Sequence, residues 1–352
     1  MLPYIKDYLL NNWVSLSLGG NPPEDLYGVI LGRRGRETRS FLVFHSDSKL
    51  PTCIVKAGFT DEARAILRAE YENLCWLHKQ TTPIFRQTIP RPLALQEING
   101  ALCLIESVIP GRFLGYGRQN PFGIPGTHKR LKLVYEWLTL FHHETALEDR
   151  ILDNTSIHEV IVEPLQQGWN RFGMHDKSTS VLRTLERIAQ RLEGKRLPVV
   201  ALHGDFKVEH VLYLGGSMIG VVDWAEFRQG GLPFFDWFSF LISYGLGRYK
   251  IDTSGTLSKF VPMLRNVFCE QHSFSQALAY ATRDYCTALG LDKEAVPVFF
   301  ALYLVKEGCT RWPFFDRNKG EVFEDALRMF VENWHKLSFL QHLYNPGLFL
   351  TG

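Results

Sequence analysis

Short apolar runs and two-residue alternations mark the first hundred residues, and longer helical periodicities fill most of the remainder. Residues 1–15 predict a short helix followed by a strand. Residues 27–31 and 40–44 predict strands on either side of Gly32-Arg-Arg-Gly35-Arg-Glu-Thr-Arg39, and residues 52–56 predict a third. Residues 61–79 predict a helix, with Asp61 and Glu62 suited to its positive amino end. On that helix Leu67, Glu70, Leu74 and Leu77 fall on one face, which leaves a single charge inside an apolar stripe. Pro90, Pro92 and Pro110-Gly111 punctuate the next stretch, where residues 102–105 predict another strand. From Lys129 the period becomes helical, over 129–143, 156–169 and 179–192, then near 233–244, 256–271, 275–289, 294–308 and 321–337. There is no internal repeat and no low-complexity tract. The order predicts an α+β protein, with a β-rich N-terminal lobe over 1–107, a mainly helical C-terminal lobe over 108–352, and a joint near 105–111.

Between these helices lies the most informative stretch, Ala201-Leu-His-Gly-Asp205-Phe-Lys207-Val-Glu-His210, continuing through two apolar runs to Asp223-Trp224. Residues 211–214 and 218–222 flank Gly215-Gly216-Ser217, a hairpin signal. Pairing Leu214 with Met218 sets His210 level with Val222, and places Asp223 beside the loop that carries Asp205. Two acids meeting at one end of a hairpin make a site for Mg²⁺ and phosphate, or for acid/base work.

The stretch resembles the catalytic centre of the aminoglycoside phosphotransferase and choline-kinase-like families, kinase-fold enzymes that phosphorylate small molecules. Their pattern is His-x-Asp, four residues, Asn, then an apolar strand pair ending in Asp-Trp or Asp-Phe. His203, Asp205 and Asp223-Trp224 match it, and His210 stands where the family has a metal-ligating Asn. The likeness is strongest over residues 195–240 and thins beyond 250. It implies a two-lobed protein-kinase-like fold, ATP or GTP as co-substrate, Mg²⁺, and a small-molecule hydroxyl as acceptor. Asp205 would then orient that hydroxyl and accept its proton, Asp223 would hold the metal, and Lys207 would approach the transferred phosphate.

His210 leaves three outcomes open: it ligates the metal in place of Asn, the metal relies on Asp223 and water, or no metal binds productively. Imidazole suits Zn, Fe and Ni better than Mg. Upstream, the resemblance implies that Lys56 holds the nucleotide α/β-phosphates, braced by Glu70. The alternative for Glu70 is a pair with Arg64 or Arg68 of its own helix. Gly32 and Gly35 would let backbone N–H groups approach phosphate, although an ordinary basic turn reads the same way. Residues 105–108 would supply the hinge, with the backbone of Glu106 and Val108 pairing with the purine edge. The resemblance implies that Asp236 braces the catalytic loop; the alternative is that it caps the helix in which it lies, and the two readings are compatible. Trp312-Pro-Phe-Phe-Asp316 is a candidate acceptor-pocket lining.

Composition narrows the classes. The chain has 352 residues, 45% hydrophobic and 22% charged, with a net charge of +2, so no strong field draws it to nucleic acid. A pI near 8.2 does not favour a polycationic acceptor, whereas a sugar-like or other small metabolite fits. Six cysteines without a C-x-x-C pair predict reduced core thiols. No run reaches the about 20 apolar residues of a membrane span, and the expected location is cytoplasmic. H-E-x-x-H, G-x-S-x-G, Walker A, Asp-Phe-Gly and Ala-Pro-Glu sequences are absent, which argues against zinc hydrolases, esterases and protein kinases. The competing class is a nucleotide-binding scaffold that has lost the metal step.

Overall fold

A computed structural model describes residues 1–31, 38–46, 48–115, 126–174, 178–248, 259–311 and 320–344. The chain begins with α1 (Leu2–Asn11), β1 (Leu26–Leu31), β2 (Thr38–His45), β3 (Cys53–Gly58), α2 (Asp61–Gln80), α3 (Pro83–Arg86), β4 (Pro92–Ile98) and β5 (Ala101–Ser107). It continues through β6 (Arg112–Phe113), α4 (Thr127–Glu144), β7 (Ala146–Ile151), α5 (Asn154–Ile157), α6 (Glu163–Arg171), α7 (Ser178–Gln190) and β8 (Arg196–Leu202). The hairpin β9 (Val211–Gly215) and β10 (Met218–Val221) comes next, then β11 (Arg228–Gly231). Among the described residues the helices α8 (Phe234–Arg248), α9 (Phe260–Cys269), α10 (Ser273–Leu289), α11 (Val296–Arg311), α12 (Gly320–Glu332) and α13 (Ser338–Tyr344) follow. The expected α+β class, strands first and helices after, is what the structure has.

The chain forms two compact units, one of Met1–Arg112 with His210–Phe227 and one of Phe113–Glu209 with Arg228–Gly352. In the first, an antiparallel sheet runs in the order β1-β2-β3-β5-β4. Alternation along β3 sends Cys53, Val55 and Ala57 into a core with Ile5, Leu9 and Trp13 of the amino-terminal segment. The opposite face meets α2, where Leu67 packs with Leu102 and Leu104 of β5. Helix α2 starts at Thr60, whose hydroxyl accepts the Ala63 N–H at 3.2 Å. Its buried stripe is Ala63, Leu67, Glu70, Leu74 and Leu77, the predicted face with the predicted charge in it.

The hairpin belongs to this first unit, whereas the sequence placed it with the C-terminal lobe. Hydrogen bonds are the reason: the Val221 N–H donates to the Thr88 carbonyl at 2.8 Å, and the Asn73 amide donates to the Trp224 carbonyl at 3.0 Å. The register runs as predicted, with Tyr213 opposite Ile219 and Val211 opposite Val221, and the Val222 N–H donates to the His210 carbonyl at 3.0 Å. At the turn Met218 pairs with Gly215 instead of Leu214, because a bulge intervenes.

The second unit holds a small antiparallel sheet in the order β11-β8-β7 and a helical core. Helix α8 is apolar nearly all round and lies buried from Phe234 to Gly245 apart from Phe235, as a central helix does.

Four local expectations change. Residues 13–17 form turns instead of a strand, since Trp13 and Leu16 both turn into the core and the Trp13 indole donates to the Gly19 carbonyl at 2.8 Å. Pro92 opens strand β4, which the prolines obscured; at the first position of an edge strand a missing N–H is tolerated. The charged edge strand β7 is likewise new. The single helix expected over 156–169 is broken by a π-turn at His158–Val162, just ahead of Pro164. None of the six cysteines forms a disulfide, and no described helix is long and apolar enough to cross a membrane.

Gly58 lets α2 approach the sheet: a Cβ there would lie 3.0 Å from the Ala63 carbonyl carbon and 3.1 Å from its oxygen. Backbone cannot yield as a side-chain tip does, so Gly58→Ala should lose about 1–3 kcal/mol of stability. Urea denaturation checks this as a lower midpoint at unchanged slope.

Candidate active site

In the first unit the chemistry centres on Lys56. It lies on the α2 face of β3, opposite Leu104 of β5. Its ammonium is 2.5 Å from Glu70 Oε1 and 3.1 Å from Glu106 Oε1, with both carboxylates only 2% exposed. Neither Arg64 nor Arg68 serves as the partner of Glu70; Arg64 reaches Glu97 at 2.5 Å. Burial pulls the Lys56 ammonium down, but Glu106, Glu70 and Asp223 outweigh it and hold it above the ordinary lysine value. Burial likewise pushes Glu106 up to about 7 against the pull of Lys56, with Glu70 and Asp223 adding to the rise.

Glu70 has a second task. Its Oε1 accepts the Trp224 N–H at 3.2 Å, so one carboxylate oxygen ties Lys56 to the residue that follows Asp223. Trp224 is fully buried and its indole donates to the Val221 carbonyl at 3.1 Å. Helix α2 thus grips Trp224 at its N–H through Glu70 and at its carbonyl through Asn73. Asp223 itself is left-handed, with φ of +70°, a conformation that costs a non-glycine residue on the order of 1 kcal/mol or more and persists only where neighbours enforce it. Its carboxylate projects away half-exposed and meets His210 Nε2 at 3.3 Å. The sequence-predicted pair of Asp223 and His210 is therefore together, one hard oxygen donor beside one imidazole.

In the second unit the loop after β8 carries Asp205. The buried Asp236 carboxylate accepts the His203 N–H at 2.7 Å and the Gly204 N–H at 3.0 Å. Burial pushes Asp236 up to about 7, although the His203 and Gly204 N–H groups and Lys306 pull it down. Gly204 takes φ of +83°, a turn open to glycine, and the His203 ring nitrogen accepts the Asp205 N–H at 3.3 Å. Phe206 is fully buried against Trp137, with ring centroids 5.6 Å apart, and Ser243 receives the Val208 N–H at 3.0 Å. Hydrogen bonds hold the backbone of His203, Gly204, Asp205 and Val208, and the Asp205 carboxylate forms an ion pair with Lys207. Of the two readings of Asp236, loop brace and helix cap, its carboxylate takes the first.

Val108 comes just after β5, half-buried. Glu106 differs from its expected part: its side chain, not only its backbone, belongs to the site, turned onto Lys56. A glutamate ending the apolar run Ala101-Leu-Cys-Leu-Ile105 was the available signal. Gly32, Gly35 and Trp312–Asp316 lie outside the described residues.

The profile of a family described as the phosphotransferase enzyme family matches residues 32–247. Among solved structures, an aminoglycoside phosphotransferase from Streptomyces rimosus is 14% identical at a TM-score of 0.42, over 92% of this chain and 97% of its own. A macrolide 2'-phosphotransferase from Brachybacterium faecium is 14% identical at 0.43, over 91% and 97%. A choline kinase from Streptococcus pneumoniae is 10% identical at 0.39, over 93% and 99%. No curated protein matches the chain.

Replacing Lys56 by Met leaves two buried carboxylates facing each other, and breaking a buried pair from one side costs about 3–5 kcal/mol. Glu106 already lies at about 7, above the ordinary 4.5, so the penalty is absent below the ordinary value and grows as pH rises through the folded one. Lys56→Met should therefore show the full loss of about 3–5 kcal/mol at pH 8 and a much smaller one at pH 5, as measured by urea unfolding at both.

Proposed function

The chain belongs to the phosphotransferase enzyme family, and from that premise we propose that it transfers the γ-phosphate of ATP or GTP to a hydroxyl of a small, sugar-like or similar metabolite. The observation that carries this reading is the buried Lys56–Glu70 pair joined through the Trp224 N–H to the backbone of Asp223. A lysine held by a carboxylate that also fixes the neighbour of a half-exposed acid is an arrangement for gripping polyphosphate. A structural ion pair has no need of that second link.

Lys56 would bind the nucleotide α/β-phosphates, with one or more of its three N–H donors left for them. Asp223 and His210 would hold Mg²⁺. They fit it as a partial set: among the described residues no group of three or more potential metal-binding side chains occurs, so water and phosphate oxygens would complete the shell. When bound, the ion would supply positive charge against the phosphate oxygens. Asp205, on its braced loop, would align the acceptor hydroxyl and take its proton, while Lys207 beside it would offset the charge of the transferred group. The near-neutral chain supports a neutral or anionic acceptor over a polycation.

Nucleotide with Mg²⁺ should raise the melting temperature, and slow metal-dependent hydrolysis should accompany it. Asp205→Ala should lower turnover about 10²–10⁴-fold, the usual share of a general base, with nucleotide affinity retained. Asp223→Ala should remove the metal dependence of binding. Stabilisation by nucleotide that ignores Mg²⁺, with no turnover even in His210→Asn, would place the chain among non-catalytic nucleotide binders instead.

A further inference from the structure

Glu106 is the buried acid that the proposed mechanism does not require. It projects from β5 onto the same sheet face as Lys56, the diagonal neighbour across the strand pair, because Leu104 stands directly opposite Lys56 and Glu106 two residues on. One oxygen meets the ammonium at 3.1 Å; the other, Oε2, is buried with no hydrogen-bond partner among the described residues. A half-satisfied carboxylate in a buried strand costs stability, and an aliphatic residue would continue the apolar run of β5. The two acids reach Lys56 from different bodies: Glu70 from helix α2, Glu106 from the strand next to its own.

We propose that Glu106 is a positioning residue, a second brace that holds the Lys56 ammonium from the sheet while Glu70 holds it from the helix. The proposal rests on the reading that Lys56 binds nucleotide phosphate. A lysine side chain has large rotamer entropy to lose when it is fixed. A single carboxylate leaves its ammonium free to swing on an arc, and any shift of α2 carries the lysine with it. Two carboxylates from separate elements fix a point, and the third N–H is then aimed at phosphate. Glu106 thereby makes the phosphate grip independent of small displacements of α2.

The test is a double-mutant cycle on the full chain, with Glu70→Gln, Glu106→Gln and both together. Calorimetry would follow a non-transferable ATP analogue, and the GTP analogue, each with Mg²⁺. Each single change should weaken nucleotide binding several-fold, and the pair should weaken it about tenfold beyond the product of the two, as coupled sites do. The KM for nucleotide should rise with the KM for acceptor unchanged. Stability separates positioning from packing. Glu106 lies at about 7 in the fold, so the stability its protonated form contributes falls as pH rises through that value and is gone by pH 8. Glu106→Gln without nucleotide should melt no lower than the wild type at pH 8 while binding nucleotide worse. Wild-type affinity in Glu106→Gln, strict multiplicativity in the pair, or an affinity loss matched by a fall in melting temperature would each overturn the proposal. Absence of nucleotide binding by the wild-type chain would instead overturn the functional reading beneath it.

Discussion

A lysine ammonium facing the carboxylates of Glu70 and Glu106, with Asp223 near enough to be felt, is the constraint around which the first unit is organised. A buried positive charge without acids is not tolerated, and acids this deeply buried are not tolerated without it. Each therefore dictates the seat of the others. Glu70 fixes the rotation of α2 about its axis, Glu106 fixes the face that β5 turns to the helix, and Trp224 fixes where the hairpin ends. The sum of these charges remains negative, which leaves the cluster short of cations.

The loop in the second unit is held by other means. Backbone N–H groups and ring packing hold the segment around Asp205, whose carboxylate pairs with Lys207. Asp236 accepts two consecutive N–H groups, Ser243 a third further along, and Phe206 anchors the loop from inside. The backbone on either side of Asp205 is held while its carboxylate faces Lys207. In the proposed transfer, such pre-arrangement would let the carboxylate meet a hydroxyl without first reorganising its surroundings.

Much of this was legible in the sequence because periodicity encodes faces. The stripe of α2 marked Glu70 as a charge needing a partner, and two apolar runs around Gly-Gly-Ser set the hairpin register everywhere but at its turn. The elements that stayed hidden lack a periodic signal. Strand β4 opens with a proline, and β7 carries three charges in six residues. β5 is buried along nearly its whole length, so it shows no alternation from which to read the direction of Glu106. The attachment of the hairpin to the first unit depends on hydrogen bonds to Thr88, Glu70 and Asn73, and nothing in the order of residues announces such pairings.

That attachment has a consequence for biosynthesis. The first unit is discontinuous: Met1–Arg112 are made early, and its remaining piece, His210–Phe227, emerges only after residues 113–209 have been added. Until then the nascent sheet and α2 have their acids in place around Lys56 but lack the strand pair that donates to the Thr88 carbonyl and the Trp224 that occupies Glu70. Closing a loop of that length costs only slowly growing entropy, so the delay is one of translation time rather than of stability. A ribosome-bound chain therefore holds an incomplete cluster around Lys56 until the hairpin is released.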